Sequence, residues 1–205
     1  NATQCRPALI FKSERHPLTS VSWDELKQQV GALQNFLIQH GIQPGDRIVG
    51  YVPNIPEATV SLLAAMSIGA IWSSCSPDFG AESVMERFRQ IEPRILIATD
   101  GYHYNGKLFN RMNVVKAVKE QLPSVELLII ISYTGNYVDA DHLQDEIRWE
   151  KVMQTPCTNL TFTAVPFDHP IWILYSSGTT GTPKAITHAH GGVLLEHLKY
   201  LAFHN

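Results

Sequence analysis

The sequence predicts an α/β fold, sheets with helices on both faces, and three observations carry that prediction. Short apolar strand patterns alternate with helical ones, turn residues separate them, and Leu127 to Ile131 is a continuous apolar run of the kind buried on both faces of a parallel sheet. Composition agrees: of 205 residues, 44% are hydrophobic and 17% charged, which excludes a polar disordered chain. Lys and Arg number 16 against 19 Asp and Glu, a net charge of −3, so there is no basic excess to neutralise a nucleic-acid backbone. No apolar run approaches the roughly 18 residues of a membrane-spanning helix, and no basic-then-apolar leader opens the chain. Cys5, Cys75 and Cys157 are odd in number and widely spaced, which fits neither a disulfide framework nor a paired metal site and points to a reducing, cytosolic setting. The acceptor patterns Asn1-Ala2-Thr3 and Asn159-Leu160-Thr161 would need a secretory context and are set aside.

The elements follow in order. Ala8 to Phe11 is a strand pattern, and Ser22-Trp23-Asp24-Glu25 is a capping box that starts a helix. Leu26, Val30, Leu33 and Leu37 lie on one face of that helix, and Gly41 stops it. Pro44-Gly45-Asp46 turns into a strand over Arg47 to Val52; Pro56-Glu57 opens a second helix to Ser67, ended by Gly69. Ala70 to Ser74 is a strand, Ser76-Pro77-Asp78 a loop, and Val84, Phe88 and Ile91 mark a helix face closed by Pro93. Arg94 to Ala98 is a strand, Asn113 to Gln121 a helix, and Leu127 to Ile131 the buried strand. Asp139 to Phe167 is more polar and irregular, so a boundary is placed at 167, giving units of 1–167 and 168–205. Beyond it come a strand over Ile171 to Tyr175, a loop, a short strand over Ala185 to His188 and a helix over Val193 to Phe203.

The loop Tyr175-Ser176-Ser177-Gly178-Thr179-Thr180-Gly181-Thr182-Pro183-Lys184-Ala185 carries the chemistry. Gly178 and Gly181 let successive amides converge, the hydroxyls from Ser176 to Thr180 add donors, and Lys184 adds a mobile positive charge. Those donors suit a polyphosphate; a polar surface turn joining two strands is the alternative on composition alone. A Walker P-loop is excluded, because Thr182 and Pro183 separate the second glycine from Lys184 and Ala185 stands where a hydroxyl is required.

At every defined position this loop resembles the signature loop of the adenylate-forming superfamily, which includes acyl-CoA synthetases, luciferases and peptide-synthetase adenylation domains. Gly45-Asp46-Arg47-Ile48, Tyr51-Val52-Pro53-Asn54, Glu57, Leu63-Ala64-Ala65 and Ile68-Gly69-Ala70 are similar to another segment of that superfamily. The stretches Gly69 to Gly80, Tyr104-Asn105-Gly106-Lys107 and His188 to His197 most resemble the acetoacetyl-CoA synthetase branch. The resemblance implies an incomplete N-terminal domain of an adenylate-forming enzyme and a ligase that uses ATP, Mg²⁺ and coenzyme A. Its carboxylate would be short, with acetoacetate favoured; an acetyl- or propionyl-CoA synthetase-like enzyme and a non-catalytic nucleotide-binding fragment are the alternatives.

It further implies phosphate binding by Ser176, Ser177, Gly178, Thr179, Thr180, Gly181 and Lys184. The later nucleotide motifs and the family's C-terminal catalytic lysine are absent from this sequence, so the chain by itself is expected to be inactive. Acyl or coenzyme A contacts fall on Trp72, Lys107, His188 and His190, each beside a plainer reading: core packing for Trp72, a solvated side chain for Lys107, a strand-to-helix junction for the histidines. A strand would put His188 and His190 on one face, but no third ligand is fixed by spacing and no metal site is assigned. Cys75 has no neighbouring base in sequence and is not assigned as a nucleophile.

Overall fold

The free amides at the start of a helix need acceptors, and Ser22 and Glu25 supply them reciprocally. Ser22 Oγ accepts the Glu25 amide at 3.2 Å and the Glu25 carboxylate accepts the Ser22 amide at 2.7 Å. From that cap runs α1 (Trp23–Gln39), with Leu26, Val30, Leu33 and Leu37 buried as their spacing requires. It follows a small antiparallel pair, β1 (Leu9–Phe11) and β2 (Thr19–Val21). The computed structural model describes residues 6–135, 137, 143, 146–155, 159–176 and 181–204. Cys5, Cys157, the Asn1 acceptor and the loop residues Ser177, Gly178, Thr179 and Thr180 lie outside the described residues.

Strands and helices then alternate: β3 (Arg47–Tyr51), α2 (Pro56–Ser67), β4 (Ile71–Cys75), α3 (Ala81–Phe88) and β5 (Ile95–Thr99). A hairpin of β6 (Gly101–Tyr104) and β7 (Lys107–Asn110) interrupts the pattern. There follow α4 (Met112–Gln121), β8 (Leu127–Ile131), β9 (Glu146–Arg148) and α5 (Trp149–Met153), then β10 (Pro170–Tyr175), β11 (Ala185–Ala189) and α6 (His190–Phe203). Among the described residues, seven strands form one sheet in the order β11-β10-β4-β3-β5-β8-β9.

Alternation along each strand divides the core in two. Ile48, Ile95, Ile97, Ile129 and Ile131 face α1, α2 and α5, while Val49, Leu96, Ala98, Leu128 and Ile130 face α3 and α4. The sheet is covered on both faces as the sequence predicts, but it is mixed rather than wholly parallel: β11 runs antiparallel to β10. The reason is length, since the nine residues between Tyr175 and Ala185 fall short of the dozen or more a parallel crossover needs. The strand after residue 167 joins the same sheet as those before it.

Gln34 is a wholly buried polar group in the first core. Its amide nitrogen donates to Ser67 Oγ and to the Thr161 carbonyl, each at 2.6 Å, and its oxygen accepts the Thr161 amide at 3.1 Å. A buried amide must be satisfied in this way, and here it ties the irregular segment before β10 onto α1 and α2.

Two outcomes follow. Ser22→Ala should lower unfolding stability by about 1 kcal/mol while Ser22→Asp stays near the parent, as read from urea denaturation midpoints; an unchanged Ala variant would show the cap to be idle. Cys75 closes β4, is 4% exposed, and burial pushes its thiol up to about 12 despite the nearby Arg87 charge. Because the thiolate is the nucleophile, Cys75 should resist alkylation at pH 8 in the native protein and label on unfolding, mapped by mass spectrometry of its peptide.

Candidate functional site

Parallel strands put their carboxyl ends on one edge of a sheet, where loops and helix starts converge and ligands of open α/β folds bind. β10 runs parallel to β4, with Trp172 beside Trp72, and so delivers Tyr175 to that edge. The chain returns in β11, pairing Ala185 with Tyr175. At the mouth of the loop the Ser176 amide donates to the Lys184 carbonyl at 3.1 Å, and the Lys184 amide donates to Ser176 Oγ at 3.3 Å. Ser176 and Lys184, eight positions apart, therefore stand face to face at the base of the glycine-rich segment, with the Lys184 side chain exposed. Gly181 adopts φ +158°, a conformation that L side chains rarely take.

Helix α3 and the turn after it brace both arms of this loop. On the incoming arm, Tyr175 Oη donates to the Arg87 carbonyl at 2.8 Å, and burial pushes the phenol up to about 12, so it remains a donor. The Arg87 guanidinium lies over the rings of Phe79, at 4.8 Å, and Tyr175, at 5.9 Å. On the outgoing arm, Gln90 Nε2 donates to the Pro183 carbonyl at 2.8 Å and to the Glu86 carbonyl at 2.6 Å. Sequence reasoning missed Arg87 and Gln90 because their partners lie 88 and 93 residues away. Nothing local to α3 marks either residue for a loop so distant.

The remaining candidates divide by edge. Trp72 is 7% exposed and lies near the start of β4, over Gly50, where an added Cβ would meet its ring at 2.7 Å; this is a packing position. Lys107 opens β7, exposed, in the hairpin that leaves the carboxyl end of β5. The hairpin turns at Asn105, φ +50°, and Gly106, φ +73°, and the Glu14 carboxylate accepts both amides at 2.7 and 2.8 Å. Those two bonds hold the Glu14 carboxyl below its ordinary range.

His188 and His190 do not share a strand face. β11 ends at Ala189, and His190 is the first residue of α6. Since β11 is antiparallel and Ala189 pairs with Pro170, both histidines lie at the amino edge of the sheet, opposite the loop. His188 sits beside Trp172, and His190 beside His169, whose carbonyl accepts the His190 amide at 2.9 Å. His190 lines an apolar cavity of about 460 Å³ walled by Trp23, Leu26, Leu63, Met66 and Phe162. Burial, and secondarily the charge of His169, lowers its pKa. Among the described residues, no group of three or more His, Cys, Asp or Glu side chains is placed to hold a metal ion, and no helix is long and apolar enough to cross a membrane.

Comparison with known proteins places this geometry. The family model described as AMP-binding enzyme matches residues 1–203. An acetoacetyl-coenzyme A synthetase of Rhizobium meliloti (strain 1021) is 43% identical over 96% of the chain, and an acetoacetyl-CoA synthetase of Gallus gallus is 39% identical over 94%. A solved structure of acetoacetyl-CoA synthetase from Streptomyces lividans superposes with a TM-score of 0.91 at 45% identity, covering 97% of this chain and 30% of its own. The chain likewise spans about 30% of the length of those two curated relatives. With the family's sequence pattern running from end to end and its fold reproduced around the loop, the chain belongs to the AMP-binding enzyme family.

Proposed function

We propose that this chain is part of an acid–thiol ligase that activates a short carboxylate, acetoacetate in the favoured reading, with ATP and passes the acyl group to coenzyme A. The observation that carries the proposal is the loop base at the carboxyl edge, where Ser176 and Lys184 are bonded to one another and the lysine side chain is free to reach outward. In the first half-reaction a carboxylate oxygen forms a bond to the α-phosphorus, the bond from that phosphorus to the bridging oxygen breaks, and pyrophosphate leaves. Negative groups approach one another in this step, so donors aimed at the leaving pyrophosphate lower the barrier. We assign that work to Ser176, Ser177, Gly178, Thr179, Thr180, Gly181 and Lys184. In the second half-reaction the coenzyme A thiol displaces AMP from the acyl-adenylate.

Acetoacetate is favoured because the relatives reported above carry that substrate in their names. A Mg²⁺ ion carried on the ATP phosphates suits a site with no metal cluster among the described residues, since Mg²⁺ usually keeps its waters and phosphate ligands. Of the four assigned acyl or coenzyme A contacts, Lys107 alone stands at the carboxyl edge, so we keep it as a coenzyme A candidate. We divide the chain at residue 167, with the phosphate segment in 168–205. We assign the reaction to the cytosol, a setting in keeping with the free thiol of Cys75. The exposed Leu194, Leu195, Leu198 and Leu201 of α6, each more than half exposed, fit a unit that packs against more protein.

Lys184→Ala in the full-length protein should slow carboxylate-dependent ATP–pyrophosphate exchange by about a hundredfold; exchange at the parent rate would remove Lys184 from the phosphate site. The 205-residue chain purified alone should form no acyl-adenylate, because closure by further protein completes such sites and excludes water. Acyl-adenylate detected by mass spectrometry with this chain as sole catalyst would refute that expectation.

A further inference from the structure

The phosphate assignment leaves open what aims Lys184. An exposed lysine at the end of a glycine-rich loop has many orientations available, and a charge held loosely contributes little to a transition state. One peptide unit decides the direction in which the side chain leaves the backbone: the plane joining Pro183 to Lys184. Both of its polar atoms are held. Its carbonyl accepts from Gln90 Nε2 at 2.8 Å, and its amide donates to Ser176 Oγ at 3.3 Å. The Lys184 carbonyl then accepts the Ser176 amide at 3.1 Å, which fixes the next plane as well.

Resting on the phosphate reading of the loop, we infer that Gln90 is a positioning residue for Lys184, acting through the Pro183 carbonyl. Gln90 is itself exposed, so hydrophobic burial does not explain its placement. Its amide nitrogen has two hydrogens, and the carbonyls of Glu86 and Pro183 take one each. The Glu86 bond anchors the side chain to α3, and the Pro183 bond carries that anchorage to the loop. The anchorage is rigid because α3 packs Val84, Met85 and Phe88 into the second core. Tyr175, bonded to the Arg87 carbonyl, holds the opposite arm to the same helix. Among these contacts, the bond from Gln90 is the one that reaches the peptide next to the lysine.

The test uses Gln90→Ala and Gln90→Glu in the full-length protein. Glutamate keeps the shape but places a carboxylate against two carbonyls. Trypsin cuts after lysine, so cleavage after Lys184 reports directly on how firmly that peptide is held. Both variants should speed this cleavage about tenfold with other sites unchanged. In ATP–pyrophosphate exchange, both should lower kcat/KM for ATP about tenfold while leaving KM for the carboxylate near the parent value. Unchanged cleavage after Lys184 overturns the inference. So does faster cleavage with unaltered exchange, or a general rise in cleavage with a raised carboxylate KM, which marks a merely structural role. Lys184→Ala, run alongside, separates the two ideas: full exchange in that variant refutes the phosphate reading, whatever cleavage after Lys184 in the Gln90 variants shows.

Discussion

Burial of β3, β5 and β8 on both faces is the constraint from which the rest of this structure follows. Ile48, Val49, Leu96, Ile97, Leu128 and Ile129 are wholly shielded from water, and strands with two apolar faces need helices on each side. Parallel neighbours need crossovers long enough to hold those helices. Such strands carry an ambiguity, because a one-residue slip exchanges one apolar face for another and hydrophobic pattern alone does not set register. Specific contacts resolve it. The tip of Trp72 occupies the space beside Gly50 that any side chain would fill. At the amino edge, Arg94 bonds the Glu126 carboxylate through two nitrogens, at 2.9 and 2.6 Å, and reaches Asp46 at 2.6 Å and the Gly41 carbonyl at 3.0 Å. One guanidinium thus aligns the chain before β3 with the starts of β5 and β8.

Fixing the amino edge fixes the carboxyl edge, which carries the glycine-rich loop. That loop does not stand alone there. It is the connection of the β10–β11 pair, closed by the Ser176 amide on the Lys184 carbonyl and the Lys184 amide on Ser176 Oγ, and its two arms are held by α3 and the turn after it, from the opposite half of the sequence. The same edge carries the β6–β7 hairpin, whose turn amides are bound by the Glu14 carboxylate. The mild net negative charge is compatible with the polyphosphate site we propose, because the donors we assign to it are local: amides, hydroxyls and a single lysine.

Much of the fold was legible because its signals are local. The capping box at Ser22, the face formed by Leu26, Val30, Leu33 and Leu37, and the stops at Gly41 and Gly69 all depend on neighbours within a few residues. The pieces left unread are short or depend on distant partners: β2 and β9 have three residues each and exist by pairing, and α5 is a single short helix. The β6–β7 hairpin was missed although Asn105-Gly106 is a strong turn pair, because its strands have four residues each and exist by pairing with one another. Alternate spacing would put His188 and His190 on one strand face, but β11 ends at Ala189 and His190 opens α6, the strand-to-helix junction of the plainer reading.

By itself the sequence determined the α/β class, the order of the main elements and the glycine-rich motif between β10 and β11, since periodicity, caps and a long defined motif are written in consecutive positions. Tertiary structure alone decided three things. It turned β11 antiparallel, because the connection is too short to cross over. It sent the two histidines to the edge away from the loop, because the return strand runs backwards. It also brought Arg87 and Gln90 to Tyr175 and Pro183, contacts that no local pattern encodes because they exist only after the sheet has placed α3 beside β10.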